Sequence, residues 1–152
     1  MKICIIGPGY KPIPPNGWGA VESVIWDYYM NLKDNHEVNI INNTNLKQVI
    51  EEVNMINYDV VHIMYDDHVI ITPYLKHNKI LYTSHYAYIT HPNFEQTQSW
   101  YFQNIFKHVI LNKDRLIINA ISEQIKQVYV NYGFPANKIN VFIIFYFRIF
   151  LR

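Results

Sequence analysis

Two glycines, Gly17 and Gly19, flank Trp18 in the segment that joins the first apolar run to the first helix-period segment. A glycine has no Cβ, so a ligand can approach the main chain closely there. The start of a helix also presents unpaired N–H groups and a positive dipole end to an anion. The segment therefore predicts a phosphate or diphosphate site, with Trp18 as a sugar platform or a loop anchor. The alternative is a stiff connection that binds nothing.

Two familiar phosphate-binding motifs do not fit this loop. A dinucleotide fingerprint needs three glycines and an acidic residue about 20 positions further on. Gly7 and Gly9 supply the first two glycines, but Pro12 takes the third place, and Asn42 and Asn43 stand where the acid is expected. A Walker loop needs Gly-Lys-Ser or Gly-Lys-Thr, and neither tripeptide occurs.

Other polar residues follow predicted strands. His85 ends the fourth strand at the carboxyl edge, where α/β sheets bind ligands, although a purely structural histidine is equally consistent with this place. His62 lies mid-strand and is expected to be structural. The run Asp66-Asp67-His68 suggests a divalent-ion motif, but a solvated loop is favoured. Ser122 lacks the G-x-S-x-G context of a nucleophile, so helix N-capping is expected.

Charge and cysteine content exclude several classes. The formal net charge of +1 gives no general basic field, so neither nucleic acid nor an acidic membrane surface is expected as a partner. Seven histidines include no H-E-x-x-H pair, and one cysteine cannot build a zinc site, so no metal is predicted. Cys4, the only cysteine, permits no intramolecular disulfide, which favours a reducing compartment such as the cytoplasm. The apolar run before Gly7 is too short for a secretion signal.

Apolar runs alternate with helix-period segments along the 152 residues, which predicts one α/β domain with a Rossmann-like, doubly wound parallel sheet of about six strands. The strands are expected at residues 2–6, 37–41, 60–64, 79–82, 116–121 and 139–143. Residues 94–111 form an aromatic, helical segment, and Gly133 caps the last helix. The apolar run 141–147 is broken by Arg148 well short of the ~20 residues that span a bilayer. Residues 144–152 are expected to be an apolar tail that packs on the domain or meets a partner.

Several segments together resemble one family, the N-terminal domain of GT-B fold glycosyltransferases of the retaining, family-four type. In chain order they are residues 2–8 with 14–22, His36-Glu37-Val38, Tyr58-Asp59-Val60-Val61-His62, Thr83-Ser84-His85, Ala120-Ile121-Ser122, Gly133-Phe134-Pro135 and Lys138-Ile139-Asn140-Val141. The resemblance covers residues 1–143 and implies sugar transfer from a nucleotide sugar to an acceptor with retained configuration. It implies no cofactor, since the nucleotide sugar is a substrate.

The resemblance also implies roles for individual residues. Gly17, Trp18 and Gly19 would face the donor phosphates, and Glu22 and Ser122 would lie on the acceptor side. His85 would be the catalytic-site histidine that hydrogen-bonds to the reacting sugar. Residues 144–152 stand where the family continues into its hinge and donor-binding domain, so a separate donor-domain chain or a homo-oligomer is an expected partner. A non-catalytic assembly module is the main alternative, and a flavodoxin-like or nucleotide-binding regulator is a third.

Overall fold

A computed structural model describes residues 1–142 and contains one six-stranded, all-parallel sheet. The strands are β1 (Lys2–Gly7), β2 (Glu37–Asn42), β3 (Val60–Ile63), β4 (Ile80–Ser84), β5 (Leu116–Ala120) and β6 (Ile139–Val141). Their order across the sheet is β2-β1-β3-β4-β5-β6. The predicted doubly wound α/β fold is thereby confirmed, and the strands lie within one or two residues of their expected positions. The predicted apolar tail, residues 144–152, lies outside the described residues.

The helices are α1 (Ala20–Leu32), α2 (Leu46–Met55), α3 (Phe94–Thr97), α4 (Ser99–Tyr101), α5 (Lys107–Leu111) and α6 (Glu123–Asn131). A 3-10 helix spans Asp66–Tyr74, and shorter ones span Ala87–Thr90 and Ala136–Lys138. A π-helical turn, Phe102–Phe106, joins α4 to α5, so the predicted aromatic helical segment is confirmed as a broken series of turns. No helix within residues 1–142 is long and apolar enough to cross a membrane.

The two faces of β1 pack against different helices. Ile3 and Ile5 join a core cluster with Val24 and Ile25 of α1. Their alternate neighbours Cys4 and Ile6 belong to a larger cluster that includes α2, the aromatic segment and α6. Side chains alternate between faces along a strand, so α1 and α2 cover opposite faces of the sheet. Complete burial of Cys4, with a smaller effect of Glu52, raises the pKa of its thiol to about 12.

Helix α6 has the ends that its sequence predicts. The Ser122 hydroxyl accepts the N–H of Ile125 at 3.2 Å and caps the first turn. At the other end Gly133 has φ +85°, its N–H donates to Val130 O, and the next N–H, of Phe134, donates to Tyr129 O at 3.0 Å. This is the hydrogen-bond pattern of a Schellman cap. The predicted glycine C-cap is confirmed.

The strand order creates a crevice between two loops. From β1 the chain crosses to β2 on one side, whereas from β3 it crosses to β4 on the other. The loops that leave the carboxyl ends of β1 and β3 therefore diverge, and such a switch point is where open α/β sheets bind ligands. The glycine loop and the segment beginning at Asp66 lie on its two sides.

Candidate functional site

The glycine loop, residues 8–19, has an open main chain near its end. Gly17 has φ +91°, and a Cβ built on it would meet no atom within 4 Å. Its conformation therefore favours glycine because of backbone strain alone, and space for a ligand remains beside it. The indole of Trp18 is 74% exposed, so this side chain does not anchor the loop. The backbone at Gly17 meets the basic requirement for close approach of an anion.

Asn42, at the end of β2, fixes the first half of the glycine loop. Its Oδ1 accepts the N–H of Gly9 at 2.7 Å, and its Nδ2 donates to the carbonyl of Lys11 at 2.8 Å. The ammonium of Lys11 in turn donates to the carbonyl of Trp18 at 2.5 Å. The residue that stands in place of a ribose-binding acid thus binds the protein's own main chain. Sequence reasoning noted the amide but missed this function.

Glu22, the third residue of α1, folds back over the start of its helix. Its side chain is only 6% exposed, and its Oε2 lies 2.9 Å from where a Cβ of Gly19 would stand. Pro15 would also lie within 2.8 Å of that Cβ. The missing side chain of Gly19 therefore makes room for Glu22 and Pro15. A diphosphate placed at the first amides of α1 would be repelled by this carboxylate.

Asp66, three residues after the end of β3, is the centre of a buried hydrogen-bond network. The residue is 7% exposed, and its Oδ1 accepts the hydroxyl hydrogens of Tyr82 at 2.5 Å and Tyr101 at 2.8 Å. Its Oδ2 accepts the main-chain N–H of His85 at 3.3 Å. Burial first, and then the Asp66 carboxylate, raises the pKa of the Tyr82 hydroxyl well above its ordinary value. Both tyrosines thus remain donors at neutral pH.

The prediction that Asp66-Asp67-His68 forms a solvated loop is wrong for two of the three residues. Asp66 and His68 are buried, and the Nε2 of His68 hydrogen-bonds with the carbonyl of Asn43 at 2.9 Å. A 3-10 helix begins at Asp66 and turns the chain back against the sheet, which buries alternate polar side chains. The partners of Asp66 come from β4 and α4, so no local pattern in the sequence identifies this network.

His62 in β3 and His85, which follows β4, have different surroundings. His62 is buried, and its Nε2 hydrogen-bonds with Thr83 Oγ1 at 2.7 Å, which confirms a structural role. Burial, with nearby His85, lowers its pKa to about 3. Burial also lowers the pKa of His85, although Asp66 opposes the shift. His85 is therefore a neutral imidazole at pH 7, with its Nε2 buried and unpaired among the described residues.

A cleft of about 440 Å³ opens beside the Asp66 network. Its aromatic lining consists of Tyr65, Tyr86, Trp100 and Tyr101, and its polar lining consists of Asp66, Asp67 and residues 97–99. Tyr86 stacks on Tyr101 with ring centroids 3.9 Å apart. The ring of Tyr65 also contacts Tyr10 of the glycine loop, 5.9 Å away, so the cleft and the loop adjoin. Sequence reasoning flagged the aromatic segment as helical but did not assign it a site.

The predicted site residues follow different strands but share the carboxyl edge of the sheet. Gly17, Trp18, Gly19 and Glu22 follow β1, His85 follows β4, and Ser122 follows β5. The Ser122 hydroxyl is already engaged as a helix cap. Within residues 1–142, no three His, Cys, Asp or Glu side chains are grouped to hold a metal ion.

Comparison with known proteins finds a likeness in structure but none in sequence. No protein-family description matches the sequence, and no curated protein is significantly similar to it. The chain resembles the crystal structure of AviGT4, a glycosyltransferase involved in avilamycin A biosynthesis, with a TM-score of 0.49 and 12% identity. The alignment covers 93% of this chain but 63% of AviGT4, which is less than two thirds of that protein.

Proposed function

We propose that this chain provides the acceptor side of a GT-B glycosyltransferase, which transfers a sugar from a nucleotide sugar to an acceptor with retained configuration. The observation that carries the proposal is the glycine loop at the switch point of the sheet, which has open main chain at Gly17 and adjoins a sugar-sized cleft through the contact of Tyr10 with Tyr65. The order of family-like segments along the sequence supports the reaction type. Retention rests on that resemblance alone.

In this proposal Gly17, Trp18 and Gly19 contact the donor diphosphate. The Lys11 ammonium, which is bonded to the Trp18 carbonyl, provides positive charge at the loop. The Glu22 carboxylate turns away from the helix start when the diphosphate arrives, and it then accepts a hydrogen bond from an acceptor hydroxyl. Most of the nucleotide is held by a donor-binding domain opposite this loop, either in the same protein or in a separate chain.

His85 and Ser122 complete the proposed site. Because the imidazole of His85 is neutral, its unpaired Nε2 can hydrogen-bond to a hydroxyl of the transferred sugar once the side chains that cover it move. Ser122 contributes through the position of its helix start, since its hydroxyl is already bonded to Ile125. Neither role requires a metal or a bound cofactor.

The proposed reaction exchanges one bond at the anomeric carbon for another. The bond from that carbon to the diphosphate oxygen breaks, and the bonding electrons leave with the nucleoside diphosphate. An acceptor hydroxyl oxygen forms the new bond to the same carbon, and its proton passes to the departing phosphate. Donors at the loop stabilise the charge that develops on this phosphate. A cytoplasmic location is part of the proposal, because the single cysteine suits a reducing compartment.

Nucleotide binding to the glycine loop tests this proposal. Thermal unfolding is followed with UDP, GDP and their sugar conjugates, because a ligand that binds only the folded chain raises Tm. Gly17→Ala should abolish the rise by adding a methyl group beside the open main chain. Gly133→Ala is the matched control, because Gly133 also has positive φ and open space around a built Cβ, but lies at the end of α6.

Both alanines carry the same backbone strain, so they should lower Tm by similar amounts without ligand. Only the Gly17 variant should lose the nucleotide response. No rise in Tm for any nucleotide at millimolar concentration, or an equal loss of the response in both variants, would overturn the donor-phosphate role of the loop and favour the non-catalytic assembly module.

A further inference from the structure

We propose that the cleft lined by Asp67, Tyr86, Trp100 and Tyr101 binds a sugar ring without negative charge, and that it prefers an amine-bearing sugar to its neutral counterpart. This ligand would be the acceptor, and that part of the inference rests on the proposed function. Binding of the sugar itself does not depend on it.

Two aromatic side chains of the cleft are held in place by contacts within the protein. Tyr86 and Tyr101 stack nearly parallel, at 11°, and the Tyr86 hydroxyl donates to Gln98 Oε1 at 2.5 Å. Tyr101 is fixed in turn by its bond to Asp66. Trp100 differs, because it is 63% exposed. The C–H face of a sugar ring is apolar and slightly positive at its hydrogens, so it complements the negative face of an indole.

The charge of the cleft excludes anions. Asp66 and Asp67 both line it, whereas its lining contains no Lys, Arg or His. Asp66 is already bonded to three protein donors, but the Asp67 carboxylate has no hydrogen bond or ion pair among residues 1–142. Burial first, and then the neighbouring Asp66 carboxylate, raises the pKa of Asp67, whereas nearby His68 opposes the shift. An ammonium group on the ligand would place a positive charge beside the unpaired Asp67 carboxylate.

The size and polarity of the cleft suit a saccharide. Its volume of about 440 Å³ lies in the range of small-molecule sites. Residues 97–99 add amide and hydroxyl groups along one wall, so a ring with several hydroxyls can form hydrogen bonds while one face rests on an aromatic side chain. A phosphate or uronic acid group would meet two carboxylates with no compensating cation.

The tryptophans of this chain allow loop and cleft to be observed separately. The three indoles belong to Trp18 in the glycine loop, Trp26 on α1 and Trp100 in the cleft. Two-dimensional NMR of the indole N–H signals, assigned with Trp→Phe variants, therefore reports both regions at once, with Trp26 as an internal control. The probes are methyl glucoside, the methyl glycoside of glucosamine, and methyl glucuronide.

We expect the glucosamine and glucose probes to shift the Trp100 signal, with affinities on the order of millimolar and about a fivefold preference for the amine. Glucuronide should leave the signal unchanged. Asp67→Asn should remove the preference without abolishing binding, whereas the matched variant Asp34→Asn, at an exposed position before β2, should preserve it. Trp100→Ala should abolish binding, as seen by ligand-detected NMR, and Trp26→Ala should not.

The inference is overturned if no sugar moves the Trp100 signal, if glucuronide binds as well as glucoside, or if Asp67→Asn leaves the amine preference intact. Its failure is distinct from that of the proposed function. If sugars shift the Trp100 signal but nucleotides leave the Trp18 signal unchanged, sugar binding in the cleft is supported and the glycosyltransferase proposal is contradicted. The opposite pattern would support the donor loop and contradict this cleft as the sugar site.

Discussion

The glycine loop and the Asp66 network lie on opposite sides of one switch point but are built by different means. The loop is a contiguous segment whose shape depends on glycine conformations and on main-chain bonds to Asn42. The network joins side chains that are 16 and 35 positions apart in the chain and removes them from solvent. An anion can be met by exposed main chain, whereas precise placement of aromatic side chains requires a buried acceptor that orients them.

The two regions also differ in charge. The loop carries the Lys11 ammonium and the start of α1, while the cleft beside the network has carboxylates and no cationic lining residue. Under the proposed function a phosphate binds on the loop side of the crevice once the Glu22 carboxylate has turned away from the start of α1, and it is disfavoured on the cleft side. This separation would keep a charged donor and an uncharged acceptor in distinct orientations.

The largest effect is expected at the centre of the network. Asp66→Ala leaves two buried tyrosine hydroxyls and the N–H of His85 without their acceptor, which should reduce the free energy of unfolding by about 3 to 4 kcal/mol. Asp67→Ala, which removes no hydrogen bond, should cost less than about 0.5 kcal/mol. Urea unfolding of the two variants provides the measurement. Equal losses would mean that Asp66 and its network contribute no more to stability than the half-buried, unbonded Asp67.

The second largest effect expected is a loss of folding stability in acid, caused by His62. Its folded-state pKa of about 3 lies below the ordinary 6.5, so the unfolded chain takes up this proton first as the pH falls. The contribution to stability is present above about pH 6.5 and is lost progressively toward pH 3; by pH 4.5 the loss is roughly 3 kcal/mol. His62→Gln, which can still bond to Thr83, should remove this part of the pH dependence. Urea unfolding of both proteins at several pH values would measure this difference. If the His62→Gln variant loses as much stability at low pH as the original protein, the assignment is contradicted.

Asn42 tests the other side of the comparison. Asn42→Ala removes both side-chain bonds to the glycine loop and should cost about 1.5 kcal/mol, less than Asp66→Ala because the loop can rebond to water. Asn35→Ala, at an exposed position before β2, is the control and should be nearly neutral. Amide hydrogen exchange at Gly9 should accelerate in the Asn42 variant alone. A loss as large as that of Asp66→Ala would erase the distinction between the two regions.

Ser122 should give the smallest effect. Ser122→Ala should cost about 1 kcal/mol through loss of the α6 cap, and Ser122→Asp should restore most of it because aspartate caps equally well. Thermal unfolding of the three proteins provides the comparison. If aspartate fails to restore stability, the hydroxyl acts through something other than the cap.

The sheet could be predicted from sequence because its strands are continuous Val- and Ile-rich runs. The helix cap at Gly133 could be predicted because a C-cap is a local pattern. The special backbone geometry at Gly17 could also be predicted, since a glycine in a connecting loop indicates it. The burial of Asp66 could not be predicted, because it depends on tyrosines of β4 and α4 that approach Asp66 only in the folded chain. Its two polar neighbours, Asp67 and His68, gave the segment the composition of a solvated loop.

Glu22 illustrates a second limit of sequence reasoning. The resemblance placed it on the acceptor side, but its present contact is with Gly19, at the start of its own helix. Whether a helix start is vacant depends on side-chain rotamers, which a residue pattern does not specify. The glycines indicated where an anion can approach without revealing that a carboxylate lies there.

The burial of Cys4 gives this chain a chemical reporter of its own opening. The thiol is in an inner strand, has a pKa of about 12 and is the only cysteine of the sequence. An alkylating reagent reacts with the thiolate, so it should modify this residue only when β1 separates from its neighbours. The rate of alkylation in excess reagent would then measure how often the centre of the sheet opens, without any added label.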